Sequence, residues 1–138
     1  MSQRYIRMCV LFATVFSMTA LNSFSQDQKP MHTKDDLKSV KSAVESGKAV
    51  LLDVREKAEW DNGHLKDAKF LPMSQLTKSK GESFLKLKID KKQVVYTHCG
   101  AGARALKACE ILKAEGYDVR ALKPGFSDLL DAGFPEAK

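Results

Sequence analysis

Two short apolar runs limit the folds open to this chain more than any other feature. Ala49 to Val54, AVLLDV, is apolar almost throughout rather than alternating, the pattern of a strand covered on both faces. Val94 to His98, VVYTH, is the second strand of confident outline. Fully covered strands favour a parallel sheet, in which crossover helices lie over both faces. The segments around them fit that plan. Leu37, Val40, Ala43 and Val44 recur at helical spacing behind a cap from Thr33 and Asp36, and Gly47 stops that helix. Glu56 to Asn62 is expected as a short helix ended by Gly63, and Ala68 to Leu71 as a strand closed by Pro72. Residues 73–90 should hold short helices around Leu76 and around Phe84, Leu85 and Leu87. Beyond the second run, a helix with Ala105, Ala108, Cys109 and Leu112 on one face stops at Gly116. A strand from Asp118 to Leu122, a Pro124-Gly125 turn and a short helix near Phe126 to Leu130 complete the chain. The expected class is α/β, one domain with a central, mainly parallel sheet flanked by helices on both faces.

The first 25 residues stand apart from that domain. They contain no acid, carry Arg4 and Arg7, and run apolar from Met8 to Leu21 before the small polar segment Asn22 to Ser25. This is the pattern of a secretory signal peptide, with Ser23 and Ser25 as the small residues at alternate positions ahead of a cleavage site. An apolar stretch of this length falls short of the roughly 20 residues that span a bilayer, so cleavage is preferred over a retained anchor. The chain therefore divides into a signal peptide at 1–25, a polar lead-in at 26–32 and a domain at 33–138. Removing 25 residues from the 138 leaves 113, and losing two arginines takes the formal charge from +6 to +4. The remaining lysines are dispersed without interleaved aromatics, so solvated faces are expected rather than a nucleic-acid stripe. After cleavage no membrane association is expected, and the protein would reside in the periplasm or outside the cell.

Chemistry concentrates in Cys99-Gly100-Ala101-Gly102-Ala103-Arg104, directly after the second run and ahead of a helix. The N-terminus of that helix offers unpaired backbone N–H groups and the positive end of a macrodipole. Small residues at 100 to 103 let the backbone curl so that successive N–H groups point inward as a nest. Arg104 adds a permanent positive charge, and together these effects favour the thiolate of Cys99 or a terminal sulfur attached to it. The plainer alternative is an inert buried thiol, which would need neither the Gly-Ala-Gly-Ala nest nor the adjacent Arg. Cys109 lies on the apolar helix stripe and is expected to pack. It stands too far along the helix from Cys99 for a disulfide.

In this order and at these spacings the chain resembles the rhodanese-like sulfurtransferases, as a single-domain exported member. The residues that carry the resemblance are Asp53-Val54-Arg55, Glu59-Trp60, Gly63-His64-Leu65 with Ala68, the loop from Cys99 to Arg104, Gly125, and Gly133-Phe134-Pro135. The resemblance spans about residues 33–136 and implies a rhodanese-like domain. It also implies that Cys99 accepts sulfane sulfur as a persulfide and passes it to a thiophilic acceptor such as cyanide or a thiol, including a protein thiol. Arg104 would bind an anionic donor such as thiosulfate beside the backbone of Gly100, Ala101, Gly102 and Ala103. Arg55 is a second candidate for that task, or a salt bridge that holds the loop. Asp53, Glu59 and His64 are expected as scaffold residues. Neither a cofactor nor a metal site is expected. Pro124-Gly125-Phe126 departs from the paired glycines and Trp of many relatives, which bears on pocket shape. Cys99-Gly100-Ala101-Gly102 resembles the loop of relatives that act on mercaptopyruvate, yet Arg104 stands where those have an uncharged residue.

Two other readings compete. A cysteine phosphatase or arsenate reductase would wrap an oxyanion, but such loops hold five residues between Cys and Arg, whereas four, Gly100 to Ala103, lie here. A rhodanese-like domain that only carries sulfur would hold a persulfide on Cys99 without turning over small acceptors. The leader reading gives a direct expectation. N-terminal sequencing of the exported protein should begin Gln26-Asp27-Gln28, and a mature chain that retains Met1 would refute cleavage.

Overall fold

The two apolar runs pair with each other at the centre of one parallel sheet. In a computed structural model, which describes residues 30–138, they are β1 (Ala49–Asp53) and β3 (Val94–His98). The expected signal peptide at 1–25 and most of the lead-in lie outside the described residues. β2 (Ala68–Phe70) and β4 (Val119–Ala121) complete the order β2-β1-β3-β4, with every pairing parallel. All five residues of β1 are buried, as its unbroken apolar pattern requires. The β1–β3 register runs from Ala49 opposite Val94 to Asp53 opposite His98.

Among the described residues six helices cover the sheet: α1 (Leu37–Glu45), α2 (Lys57–Asp61), α3 (Met73–Lys78), α4 (Glu82–Leu85), α5 (Ala103–Ala114) and α6 (Phe126–Asp131). Strand side chains alternate between two cores. Val50, Leu52 and Val95 point towards Leu76 of α3, Phe84 of α4 and the buried stripe Ala105, Ala108, Cys109 and Leu112 of α5. Ala49, Leu51 and Tyr96 meet Val40 of α1, Leu129 of α6 and Phe134 on the other side. The expected α/β class and single-domain layering are thus present.

The differences from expectation lie at element ends. Asp36 alone is the N-cap of α1, where its carboxylate accepts from Ser39 N at 3.0 Å. Thr33 instead accepts from Asp35 N through its hydroxyl. β1 and β4 are shorter than their apolar runs, although Val54 N still bonds His98 O and Leu122 N still bonds Thr97 O. The lead-in is more than a spacer: His32 bridges to Ala121 in parallel and Thr33 N bonds Ala121 O at 2.8 Å, covering the outer edge of β4. No helix among the described residues is long and apolar enough to cross a membrane.

Leu52 is fully buried between β2, β3 and the helices of the first core, so its loss should be costly. Leu52→Ala should lower unfolding stability by about 2–5 kcal/mol in a urea titration. A cost below about 1 kcal/mol would show that this core repacks freely around the sheet.

Candidate functional site

Alternation along β3 puts His98 and Cys99 on opposite sides of the sheet at its carboxyl edge. Cys99 faces the α5 side and is 1% exposed. Three residues later the chain turns into α5 through Gly102, at φ +91° and ψ −23°. This left-handed conformation suits glycine. A side chain here would also meet His32 Nε2 at 2.7 Å and Lys123 O at 2.8 Å. The turn brings Gly102 N to within 3.1 Å of Cys99 Sγ, so the backbone donates a hydrogen bond to the thiol sulfur. Among the described residues, the N–H groups of Gly100, Ala101, Ala103 and Arg104 have no hydrogen-bond partner. They stand at the start of a 12-residue helix, where partial positive charge gathers.

The loop is gripped from behind. Phe126 N donates to Cys99 O at 2.9 Å, and Gly125 lies so close to Gly100 that any Cβ there would run into the Gly100 carbonyl. Thr97, fully buried, donates its hydroxyl to Ala105 O at 2.9 Å and ties the strand to the first turn of α5. His32 Nε2 donates to Gly102 O at 3.1 Å, and Leu106 N binds the same carbonyl. A groove of about 440 Å³ lined by Leu37, Gly100, Ala101, Lys123, Pro124 and Asp128 opens beside the loop.

The two arginines singled out in the sequence have different surroundings. Arg55 is 4% exposed, and its Nε and Nη2 grip both oxygens of Asp53, the Nη2 contact at 2.7 Å. Nη2 also donates to Gly63 O at 2.8 Å, and the guanidinium lies 4.1 Å above the Phe126 ring. Arg104 sits at the loop and is partly exposed, with Nη1 on Glu59 Oε2 at 2.6 Å and Nη2 on Glu59 Oε1 at 2.9 Å. This two-point pair pushes the Glu59 carboxyl down to about 2, chiefly through the hydrogen bonds from Arg104. It holds the Arg104 proton more firmly in return, with a smaller contribution from the nearby Cys99. Glu59 Oε2 also accepts from Glu56 N at 3.0 Å within the capping box of α2, so the carboxylate is held at both ends.

His98, fully buried, lies with Nε2 3.6 Å from Asp53 Oδ2, and neither ring nitrogen has a hydrogen-bond partner among the described residues. Burial pushes it down to about 4 and the Asp53 carboxylate opposes this only partly, so the ring is neutral at pH 7. Cys109 donates its thiol to Val119 O, and burial pushes that thiol up. Both described cysteines are free. His64 stacks on Trp60 at 3.7 Å between ring centroids and bonds Trp60 O. Among the described residues no three His, Cys, Asp or Glu side chains group as metal ligands.

The structure therefore brings Cys99, Gly100, Ala101, Gly102, Ala103 and Arg104 together, with Arg55 clasped to Asp53 and against Phe126. Two contacts in the site's frame go beyond the sequence reading: Glu59, expected as a scaffold residue, pairs with Arg104 across 45 positions of chain, and His32, in the polar lead-in, contacts the loop. Neither partnership leaves a spacing signal.

A parallel α/β sheet that ends in a cysteine held at a helix N-terminus defines a class of thiol-loop proteins. Comparison with known proteins narrows it. The Rhodanese-like domain family model matches residues 36–132, and the chain belongs to that family. It is 38% identical over 80 residues to the Bacillus subtilis protein YqhL, covering 57% of this chain and 59% of that protein. It is 36% identical over 75 residues to the probable adenylyltransferase/sulfurtransferase MoeZ of Mycobacterium tuberculosis, covering 54% of this chain and 18% of MoeZ. The chain thus spans less than two thirds of either relative. Among solved structures, the rhodanese-like domain of the Anabaena protein Alr3790 has a TM-score of 0.61 at 24% identity, over 78% of this chain and 80% of that one. The Helicobacter pylori protein hp1203 has a TM-score of 0.54 at 30% identity, over 66% of this chain and 79% of that one.

The contact between Gly125 and Gly100 gives a direct test of how the loop is held. Gly125→Ala should displace the loop and cost about 1–3 kcal/mol of stability. The Phe126 amide, bonded to Cys99 O, should then exchange with deuterium faster than in the parent protein. Unchanged exchange at Phe126 would show that the loop is positioned independently of α6.

Proposed function

We propose that the protein is a sulfurtransferase that carries sulfane sulfur on Cys99. What supports this most is the Gly102 N–H directed at Cys99 Sγ in a loop whose other N–H groups are unpaired. An anion on sulfur, first a thiolate and then a persulfide, is the charge that such a cradle of N–H groups suits. The Cys99 thiolate attacks the outer sulfur of an anionic sulfane donor, of which thiosulfate is the simplest. A new S–S bond forms to Cys99, the donor's S–S bond breaks, and sulfite leaves with the electron pair. A thiophilic acceptor, cyanide or a small or protein thiol, then attacks the outer sulfur of the persulfide. The S–S bond to Cys99 breaks and returns the electron pair to the Cys99 thiolate. Two displacements replace one, and the same N–H groups hold the charge in each state. The sulfurtransferase in the printed name of the Mycobacterium relative supports the reaction class. We place the reaction in the periplasm or outside the cell, on the leader reading of residues 1–25.

Intact mass after thiosulfate and then cyanide tests this. The protein should gain one sulfur mass, lose it to cyanide and form thiocyanate over many turnovers. Cys99→Ser should show none of these while its melting temperature changes little. An adduct that cyanide leaves in place would assign the protein a sulfur carrier's role, and a sulfur adduct on Cys99→Ser would overturn the assignment of the nucleophile.

A further inference from the structure

The ion pair between Arg104 and Glu59 bears on which donors the Cys99 site accepts. Arg104 is the cation closest to the loop by sequence, yet both its terminal nitrogens are engaged by one carboxylate at 2.6 and 2.9 Å. That carboxylate is fully ionised at neutral pH, since its pairing pushes it down to about 2. The pair lies over the loop: a Cβ on Gly100 would come 3.3 Å from Arg104 Nη2 and 3.9 Å from Glu59 Oε1. Cys99 is 1% exposed beneath the same loop. A donor that reaches the sulfur therefore meets a carboxylate as well as a guanidinium, and the two side-chain charges cancel. Lys123 and Asp128 of the groove beside the loop likewise carry opposite charges, so what attracts an anion is the partial charge of the loop N–H groups and of the α5 N-terminus, about half an elementary charge. A field of that size suits one negative charge on a terminal sulfur. A dianion gains less from it, and is repelled by the Glu59 carboxylate, whose charge is less screened in a partly buried site than in water.

We propose that Glu59 is the specificity-determining residue of this site. By neutralising Arg104 it favours sulfane donors with at most one negative charge near the reacting sulfur, the hydropersulfides of organic thiols, over dianionic thiosulfate. The proposal rests on the sulfurtransferase reading of Cys99. With a hydropersulfide R–S–SH, the Cys99 thiolate attacks the outer sulfur and a new S–S bond forms. The original S–S bond breaks and the thiolate R–S⁻ leaves with the electron pair, while the proton stays on the transferred sulfur or passes to solvent. No oxidant or reductant is consumed. Glu59 is well placed for this role because its second contact, with Glu56 N at 3.0 Å, fixes it to α2 when the donor arrives.

The test measures kcat/KM for Cys99 sulfur loading with thiosulfate and with 2-hydroxyethyl hydropersulfide. The readout is the ratio of the two constants. Glu59→Gln keeps a side chain that can still bond Arg104 and Glu56 N but removes the negative charge. It should shift the ratio about tenfold towards thiosulfate, mainly through a lower KM. Arg104→Met leaves Glu59 charged at the loop and should shift the ratio at least tenfold the other way. If Glu59→Gln fails to fold, the same ratio is read on Glu59→Ala, which also removes the carboxylate and leaves Arg104 in place. A purely structural brace would lower both rate constants together, and a ratio that stays within twofold of the parent value in the folded variants overturns the proposal. Absence of any sulfur adduct from either donor in the unaltered protein would instead overturn the sulfurtransferase reading itself, before any variant is compared.

Discussion

Burial of β1 and β3 on both faces is the constraint from which the rest of the structure follows. A strand that shows apolar side chains to both sides must be covered twice, and the chain provides α1 and α6 on one side and α3, α4 and α5 on the other. Parallel pairing then places every strand's carboxyl end along one edge of the sheet, where loops lead into helices. The register fixes the details. With Asp53 opposite His98, Arg55 and Cys99 both begin loops on the same edge, and alternation sends the Cys99 thiol towards α5 and the His98 ring to the other side.

Two arginines reach that edge, and burial decides their roles. Arg55 has been taken out of water and is gripped by Asp53, Gly63 O and the face of Phe126. Removal of either member of a buried pair leaves an uncompensated charge, so the Asp53–Arg55 pair acts as a fastening between β1 and the turn at Gly63. Its side chain braces Phe126, whose amide holds the Cys99 carbonyl. Arg104 stays partly in solvent beside the loop, with its charge offset by Glu59, which the α2 capping box holds in place. The same side-chain chemistry thus serves as a buried fastening in one place and as a balanced charge at the loop in the other.

The elements of the fold were legible because each rests on a local signal. AVLLDV and VVYTH are continuous apolar runs, Gly47 and Gly116 stop helices at positive φ, and Ala105, Ala108, Cys109 and Leu112 keep helical spacing. The loop was legible for the same reason, since small residues between a strand and a helix are a local pattern. What the sequence leaves unmarked is contact between distant segments. Glu59 and Arg104 are joined across 45 positions, and His32 and Gly102 across 70. Gly125 shows the middle case: its place in a family pattern flagged it, but the reason, direct contact with the Gly100 backbone, appears only when α6 is folded against the loop.

That contact also explains how the Cys99 sulfur is kept covered in so exposed a part of the fold. The loop lies at the surface edge of the sheet, yet Cys99 is 1% exposed because Gly125 and Phe126 press the backbone from one side and Glu59 with Arg104 lies over the other. Thiolates and persulfides are open to oxidation in proportion to their access, so a sulfur displayed freely would be lost to the oxidation ladder. The Gly102 N–H donates to the sulfur, and glycine at 102 and 125 is what permits the loop to lie directly against the backbone from Lys123 to Gly125.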